Sequence, residues 1–519
     1  MAKSRGKGRR KKSRTSVFAL VTVAVIAVLF IGATLVNSNF LRRRMTALEA
    51  AGVKLTVAEY NCFYIDAVND YNNYVSSYYP DDAASMLPDN SRPLTAQIYD
   101  TSTGQTWAEF YDSMAIENAR QTAAVYSDAQ AKGYKLSEED ETALQTQLDQ
   151  QETDIKTYYG LKSMKEYVRL VYGGVSTKKD YLRVARLRYT INAYAKYTYD
   201  GFSYSQEQID SYYAENKDGL DTFTYRYFIV QEESVSYSDF DTDEAYATAK
   251  SEAYAAAKAK ADGYLDAISS AVASEVEFVV SAADNDASEE FTDTTLVRGF
   301  GEQVTAAISD WIKAPERVTG NLAVIPATED PETNTGFYVV YFMSRSANDY
   351  LTANMRQLVV TPEAVSQSDY TGEDGQLDVL AYDDALGQAQ AAAKEKAEAL
   401  YAQWQESGAT EDGLVELMAG NSSDATEGGL YENVERNRSG QDITVNNWLF
   451  VTDRKAGDHT LFQDTNDAWV IVYFIDNGPL YSDFLAEARL READYTAWQT
   501  AYDSVEVKTR WAFKLRANG

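Results

Sequence analysis

The sequence predicts an α+β chain: a helical region, then two copies of a strand–helix–strand unit, behind an apolar amino-terminal segment. Three observations carry this. Apolar side chains recur at helical spacing from Leu55 to about Leu220. From Phe223 the spacing is that of strands, and "TYRYFIVQ", beginning at Thr224, is echoed by "NMRQLVVT", beginning at Asn354. An uncharged run from Val17 to Val36 precedes everything else.

That run follows "MAKSRGKGRRKKSRTS", with eight basic residues in sixteen. Twenty residues at about 1.5 Å each reach ~30 Å, the thickness of a bilayer core. The expectation is a transmembrane anchor over 17–36, single-pass in the cell membrane. Residues 1–16 are expected in the cytoplasm and the bulk of the chain outside, because the leading charges outweigh Arg42, Arg43 and Arg44. A signal peptide has a shorter apolar core and a small-x-small cleavage site, and "TLVNSNF" offers none.

The bulk composition narrows the function classes. A chain of 519 residues calls for two to four domains. Eleven of the 48 Lys and Arg residues and none of the 79 acids lie in residues 1–44, so the remainder has a net charge of -42. Such a body repels nucleic acid phosphates, and no nucleic acid partner is expected. One cysteine, Cys62, excludes an intrachain disulfide, and one histidine, His459, excludes a His-rich metal site. The acidic loops "DNDASEEFTD" (284–293) and "TGEDGQLD" (371–378) lack EF-hand spacing. No metal or cofactor is expected. Cys62 reads as a buried small residue and His459 as a surface turn residue.

The helical region, 45–220, divides at its caps. "TWAEFYDSMAIENARQTAAVYSDAQAKGY" places Trp107, Phe110, Tyr111, Met114 and Ala115 at helical intervals and ends at Gly133. "LSEEDETALQTQLDQQETDIKTYYG" has Ser137 as N-cap, with Asp140 three residues on. "TKKDYLRVARLRYTINAYAKYTY" is a further amphipathic helix, and "SYSQEQIDSYYAENKDGL" is a short one capped by Ser205.

Two modules follow, 223–347 and 354–477. Each opens on a strand containing an arginine, continues in an Ala-rich helix, and closes on an apolar strand: "GFYVVYFMS" in the first, "DAWVIVYFID" in the second. Arg226 and Arg356 lie 130 residues apart, and Tyr341-Phe342 and Tyr473-Phe474 lie 132 apart. Two marks at nearly one offset predict a duplicated module of roughly 120 residues. The tail, 478–519, is a helix with an alternating stretch, too short for its own core, and is expected to pack back on the helical region.

In the second module, the order strand, long helix, "NSSDATEGGLYENV", "WLF", "KAGDH" and closing strand resembles the parvulin class of peptidyl-prolyl isomerases. Gly428-Gly429, "WLF" at 448–450 and the Gly457 turn stand where that family has its glycine pair, phenylalanine and turn. "AKGYKLSEED", "GLKSMKEYVRLVYGGVSTKKDYLRVARLR" and "SQEQIDSYYAENKDGL" resemble the amino-terminal domain of SurA- and PrsA-type extracytoplasmic chaperones. The resemblance covers about residues 53–515. The first module fits less well, "TLVRGFGEQV" being a loose counterpart of the glycine segment.

The resemblance implies a histidine in the opening strand, another in the closing strand, and an acid or thiol after the long helix. This sequence departs from that pattern. The histidine positions hold Gln357 and either Trp469 or Val470 in the second module, and Tyr227 and Tyr338 in the first; the acid corresponds to Asp424 or Ala425. Leu358, Trp448, Phe450 and Trp469 are the candidate peptide-binding residues. Twisting an Xaa-Pro amide must overcome roughly 18–20 kcal/mol. A catalyst needs a pocket for the ring and donors that favour the twisted state. Gln and Tyr can donate, yet two imidazoles are missing from each module. The expected function is therefore an extracytoplasmic, chaperone-like protein that binds unfolded or proline-containing exported polypeptides and touches the lipid bilayer through its anchor. An active prolyl isomerase, a surface scaffold or adhesin, and an assembly factor for one client are the alternatives.

Overall fold

Local rules set the helix starts of the amino-terminal unit. The computed structural model describes residues 43–270, 274–286, 296–330, 333–373, 375–424, 426–437, 440–451 and 454–517. Thr56 and Thr106 close capping boxes with Glu59 and Glu109 at the starts of α1 (Val57–Tyr78) and α2 (Trp107–Ala131). Ser137 does the same with Asp140 for α3 (Glu138–Thr157), as the sequence pattern predicts. Gly133 takes φ +72 beyond the end of α2, a left-handed conformation that costs glycine little. α4 (Met164–Val171) and α5 (Lys178–Gly201) complete this set, and a short hairpin of β3 (Ile98–Asp100) and β4 (Gln105–Thr106) leads into α2.

One compact unit comprises residues up to Ser203 together with Arg491–Gly519. Its core gathers Tyr60, Phe63 and Tyr64 of α1, Trp107 and Tyr111 of α2, Val168, Leu187 and Ala512. A small sheet closes it, with β1 (Thr46–Ala50) between β2 (Val53–Thr56) and the carboxy-terminal β13 (Val507–Thr509), Leu48 opposite Thr509. The tail is fixed by a buried ion pair. Arg516 donates Nε to Asp112 Oδ1 at 2.7 Å and Nη2 to Oδ2 at 2.5 Å, and its guanidinium lies 3.6 Å from the Tyr64 ring centre. The alternating stretch of the tail thus serves as a strand and a plug for the helical unit.

The other unit is Tyr204–Leu490. It takes in α6 (Gln206–Leu220), which the sequence assigned to the helical region. Amphipathic spacing shows that a helix buries one face but not what covers it. Here Arg345 binds Asp218 and Asp221 at the end of α6 at 2.6 and 2.5 Å. Gly301 lies so close that a Cβ there would be 1.9 Å from the Asp218 carbonyl oxygen.

This unit contains one topology twice. The first copy runs β5 (Thr222–Gln231), α7 (Asp243–Ser270), α8 (Glu275–Asp286), β6 (Leu296–Phe300), α9 (Ala306–Lys313), β7 (Leu322–Pro326) and β8 (Gly336–Ser346). The second runs β9 (Leu351–Val360), α10 (Val379–Glu406), α11 (Glu411–Met418), β10 (Leu430–Val434), α12 (Ile443–Leu449), β11 (His459–Gln463) and β12 (Trp469–Leu480). The antiparallel sheets have the orders β6-β5-β8-β7 and β10-β9-β12-β11. Register repeats too: Arg226 pairs with Tyr341, and Arg356 with Tyr473. α13 (Tyr481–Thr500) follows the second copy.

The chain is α+β, but the expected transmembrane helix is corrected. Among the described residues no helix is long and apolar enough to cross a membrane, and residues 17–36 lie outside the described residues. The longest helices, α7 and α10, are Ala-rich and studded with Lys, Asp and Glu, which suits a helix packed on one face and solvated on the other.

Candidate functional site

The opening arginines turn out to be braces. Arg226 Nε donates to Glu275 at 2.8 Å and Arg356 Nε to Glu411 at 2.7 Å, each glutamate being the first residue of its module's second helix. The acid also suits the positive end of that helix. Arg356 Nη1 additionally reaches the Gly428 carbonyl at 2.6 Å.

Strand alternation then decides which residues meet. Gln357, beside Arg356, faces α12 and shares its side of the sheet with Val359, Val470 and Val472. Around Gln357 stands a half-buried polar cluster. Its Nε2 donates to Asp424 Oδ2 at 2.6 Å and contacts the Tyr431 hydroxyl at 3.3 Å. Tyr431 lies 3.0 Å from both Asp424 oxygens, and the Thr426 amide donates to Asp424 Oδ1 at 2.8 Å. Gln441 donates to Gln357 Oε1 at 3.3 Å. Gly429 permits this arrangement: at φ +57, a Cβ there would stand 2.2 Å from the Gln357 carbonyl oxygen. Burial, reinforced by the neighbouring Asp424 charge, raises the Tyr431 pKa, so the phenol stays protonated.

Gln357 and Asp424 are thus in direct contact. Ala425 lies outside the described residues. Trp448 and Phe450 adjoin the same face; Arg454 lies 3.7 Å from the Trp448 ring centre and donates to its carbonyl at 2.7 Å. Leu358 and Trp469 are not brought to this face. Leu358 is fully buried under α10 with Ala397, Leu414 and Trp404, and Trp469 packs on that side, its ring centre 5.4 Å from Lys394 Nζ. Of the two residues proposed for the closing strand, Val470 is therefore the one facing with Gln357. In the first module Tyr338 holds the equivalent register place, and its ring centre lies 5.5 Å from that of Tyr227. His459 is a strand residue, not a turn residue. It packs 4.8 Å from Trp404 on the α10 side, with Nδ1 2.9 Å from the Gly457 carbonyl.

Chemically, Gln357, Asp424, Tyr431 and Thr426 bond one another. The Gln357 amide is directed to Asp424 and Tyr431 rather than to a substrate carbonyl, and no imidazole is among the cluster's members. Sequence reasoning missed Tyr431 and Thr426, whose only signal was their nearness to the glycine pair, and Gln441, twelve residues beyond it, which gave no signal.

It also missed a larger feature. The helical unit holds an open cleft of about 1240 Å³ between α1, α2, α3, α5 and the end of α13. Tyr181, Tyr189, Tyr495 and Trp498 supply aromatic lining, and the buried Phe63 and Tyr172 border it. Arg188 bonds Asp66 at 2.6 Å, and the Tyr172 hydroxyl donates to the same carboxylate at 2.7 Å. Asp70 has its pKa raised, first by burial and then by Asp66. Cys62 borders the cleft as a buried thiol, its pKa pushed up to about 12 by burial. It is no nucleophile at neutral pH.

Comparison with known proteins adds little to this geometry. No family model matches the chain, and no curated protein matches it. Among solved structures it is similar to PrsA from Bacillus subtilis, at 14% identity over 55% of this chain and 87% of that one. The TM-score is 0.16, too low to carry an argument about fold or function.

Proposed function

We propose that the chain is a chaperone-like protein that holds unfolded exported polypeptides outside the cytoplasm, with parvulin-like modules that do not isomerise prolyl bonds. The observation that carries the holding role is the cleft. Its volume of about 1240 Å³ exceeds the roughly 300–1,000 Å³ typical of small-molecule pockets. Tyr and Trp on its walls offer broad amphipathic contact suited to varied sequences. The second module supports the lack of catalysis, because its donors are directed within the Gln357, Asp424 and Tyr431 cluster.

The test is light scattering of several unrelated unfolded proteins diluted with and without the full chain. Slowed aggregation of all of them is expected. No binding and no slowing would overturn the holding role, and slowing of one client alone would turn the protein into a dedicated assembly factor. An active isomerase is the second reading, favoured by Gln357 and Asp424 meeting at the position the family resemblance implies. It predicts faster proline-limited refolding, lost in Gln357→Ala.

A further inference from the structure

The charges lining the cleft are unequal. Among the described residues, Asp66, Asp70, Asp154 and Asp503 line it against one cation, Arg188. Arg188 is committed to Asp66 at 2.6 Å. Asp503 meets Arg120, which does not line the cleft, at 3.4 Å, and Asp154 accepts from the neutral Gln150 amide at 2.8 Å. The unit's other arginines on α5 point elsewhere, Arg183 to Glu59 and Arg186 to Glu141. A concave surface lined by one sign of charge, with apolar walls between the charges, concentrates its field on whatever enters.

Resting on the holding role above, we propose that this cleft selects unfolded segments in which Lys or Arg stands among apolar residues. The apolar neighbours lie on Tyr181, Tyr189 and Trp498, all partly exposed in the cleft, while the basic stem runs along the aromatic wall and its head reaches Asp70 and Asp154. Aromatic faces add cation–π attraction for the same heads. Acidic segments meet repulsion instead. The cation to expect is a side chain rather than a metal, because among the described residues no group of three His, Cys, Asp or Glu is placed to hold an ion.

The experiment measures fluorescence anisotropy of labelled twelve-residue peptides with the full chain. The three peptides share their aromatic and aliphatic residues and carry Lys, Ser or Glu at the same positions. The Lys peptide is expected to bind about tenfold tighter than the Glu peptide at low salt, the ratio shrinking as salt rises from about 50 to about 500 mM. Asp70→Asn with Asp154→Asn brings the ratio to within about twofold. Asp241→Asn with Asp383→Asn, both exposed in the other unit, leaves the ratio unchanged. Equal binding of all three peptides by the unaltered protein overturns the selectivity alone. So does an equal loss of preference in both double variants, which assigns it to overall charge. Binding of none of the peptides overturns the holding role as well.

Discussion

The two sheet modules share a frame and differ on one face. Register, the Arg226–Glu275 and Arg356–Glu411 braces, and the turns at Gly320 and Gly457 all correspond; each glycine amide donates at 2.9 Å to the carbonyl of a paired phenylalanine, Phe342 or Phe474. So does a W-x5-R-x2-G stretch. Arg317 stacks 4.5 Å from Trp311 and bonds its carbonyl at 2.9 Å, as Arg454 does with Trp448. The contrast lies on the α9 and α12 faces. The first carries Tyr225, Tyr227, Tyr338, Val297 and Ile325, where the second carries Met355, Gln357, Val470, Tyr431 and Phe462. What both copies keep holds the sheet to its helices, and what they do not keep is the packing on the α9 and α12 faces.

Gly429→Ala tests the frame most severely. The left-handed φ and the approach to the Gln357 carbonyl together should cost about 3 kcal/mol or more, confined to the second module. Hydrogen-exchange mass spectrometry should show β9 and β10 losing protection while β5 and β8 keep theirs. Gly375→Ala, at φ +75 with open space around it, should cost only about 1 kcal/mol. Next come Arg226→Ala and Arg356→Ala, each expected to destabilise its own module by about 2 kcal/mol. Effects differing by more than about 1 kcal/mol would break the equivalence of the braces. Arg317→Ala and Arg454→Ala should each cost about 1 kcal/mol, read as faster exchange in α9 and α12.

The smallest effect concerns protonation. Because the Tyr431 pKa is raised in the fold, the neutral phenol's contribution is intact below its ordinary value of 10.0 and is lost as pH rises through the raised value. Asp424→Asn removes a neighbouring negative charge and should bring phenolate formation to lower pH. Difference absorbance near 295 nm against Tyr431→Phe reads this; an unchanged titration would detach Tyr431 from Asp424.

Legibility in the sequence followed range. Ser137 with Asp140 and Gly133 could be read because a cap is made by neighbours. The doubled arginines could be read because one strand motif occurs twice. The choice between Trp469 and Val470 could not, since a one-residue change of register turns every side chain to the other face and only pairing with β9 fixes it. The glycine pair was visible, but its cause, the Gln357 carbonyl, is about 70 residues away. The cleft was invisible, because Asp66 and Trp498, which both line it, are separated by more than 400 residues of chain. A further duplication, "VSYSDF" at 235–240 and "VSQSDY" at 365–370, repeats at the same offset of 130 and was there to be found. Its paired serines lie 2.8 and 2.7 Å apart in matching turns.

Whether the modules bind without catalysing is read by NMR exchange spectroscopy on a short Xaa-Pro peptide, with and without the full chain. Cis–trans exchange at the thermal rate is expected, with peptide resonances broadened or shifted by binding. Acceleration well above the thermal rate, abolished by Gln357→Ala, would contradict it and make the second module a catalyst without imidazoles.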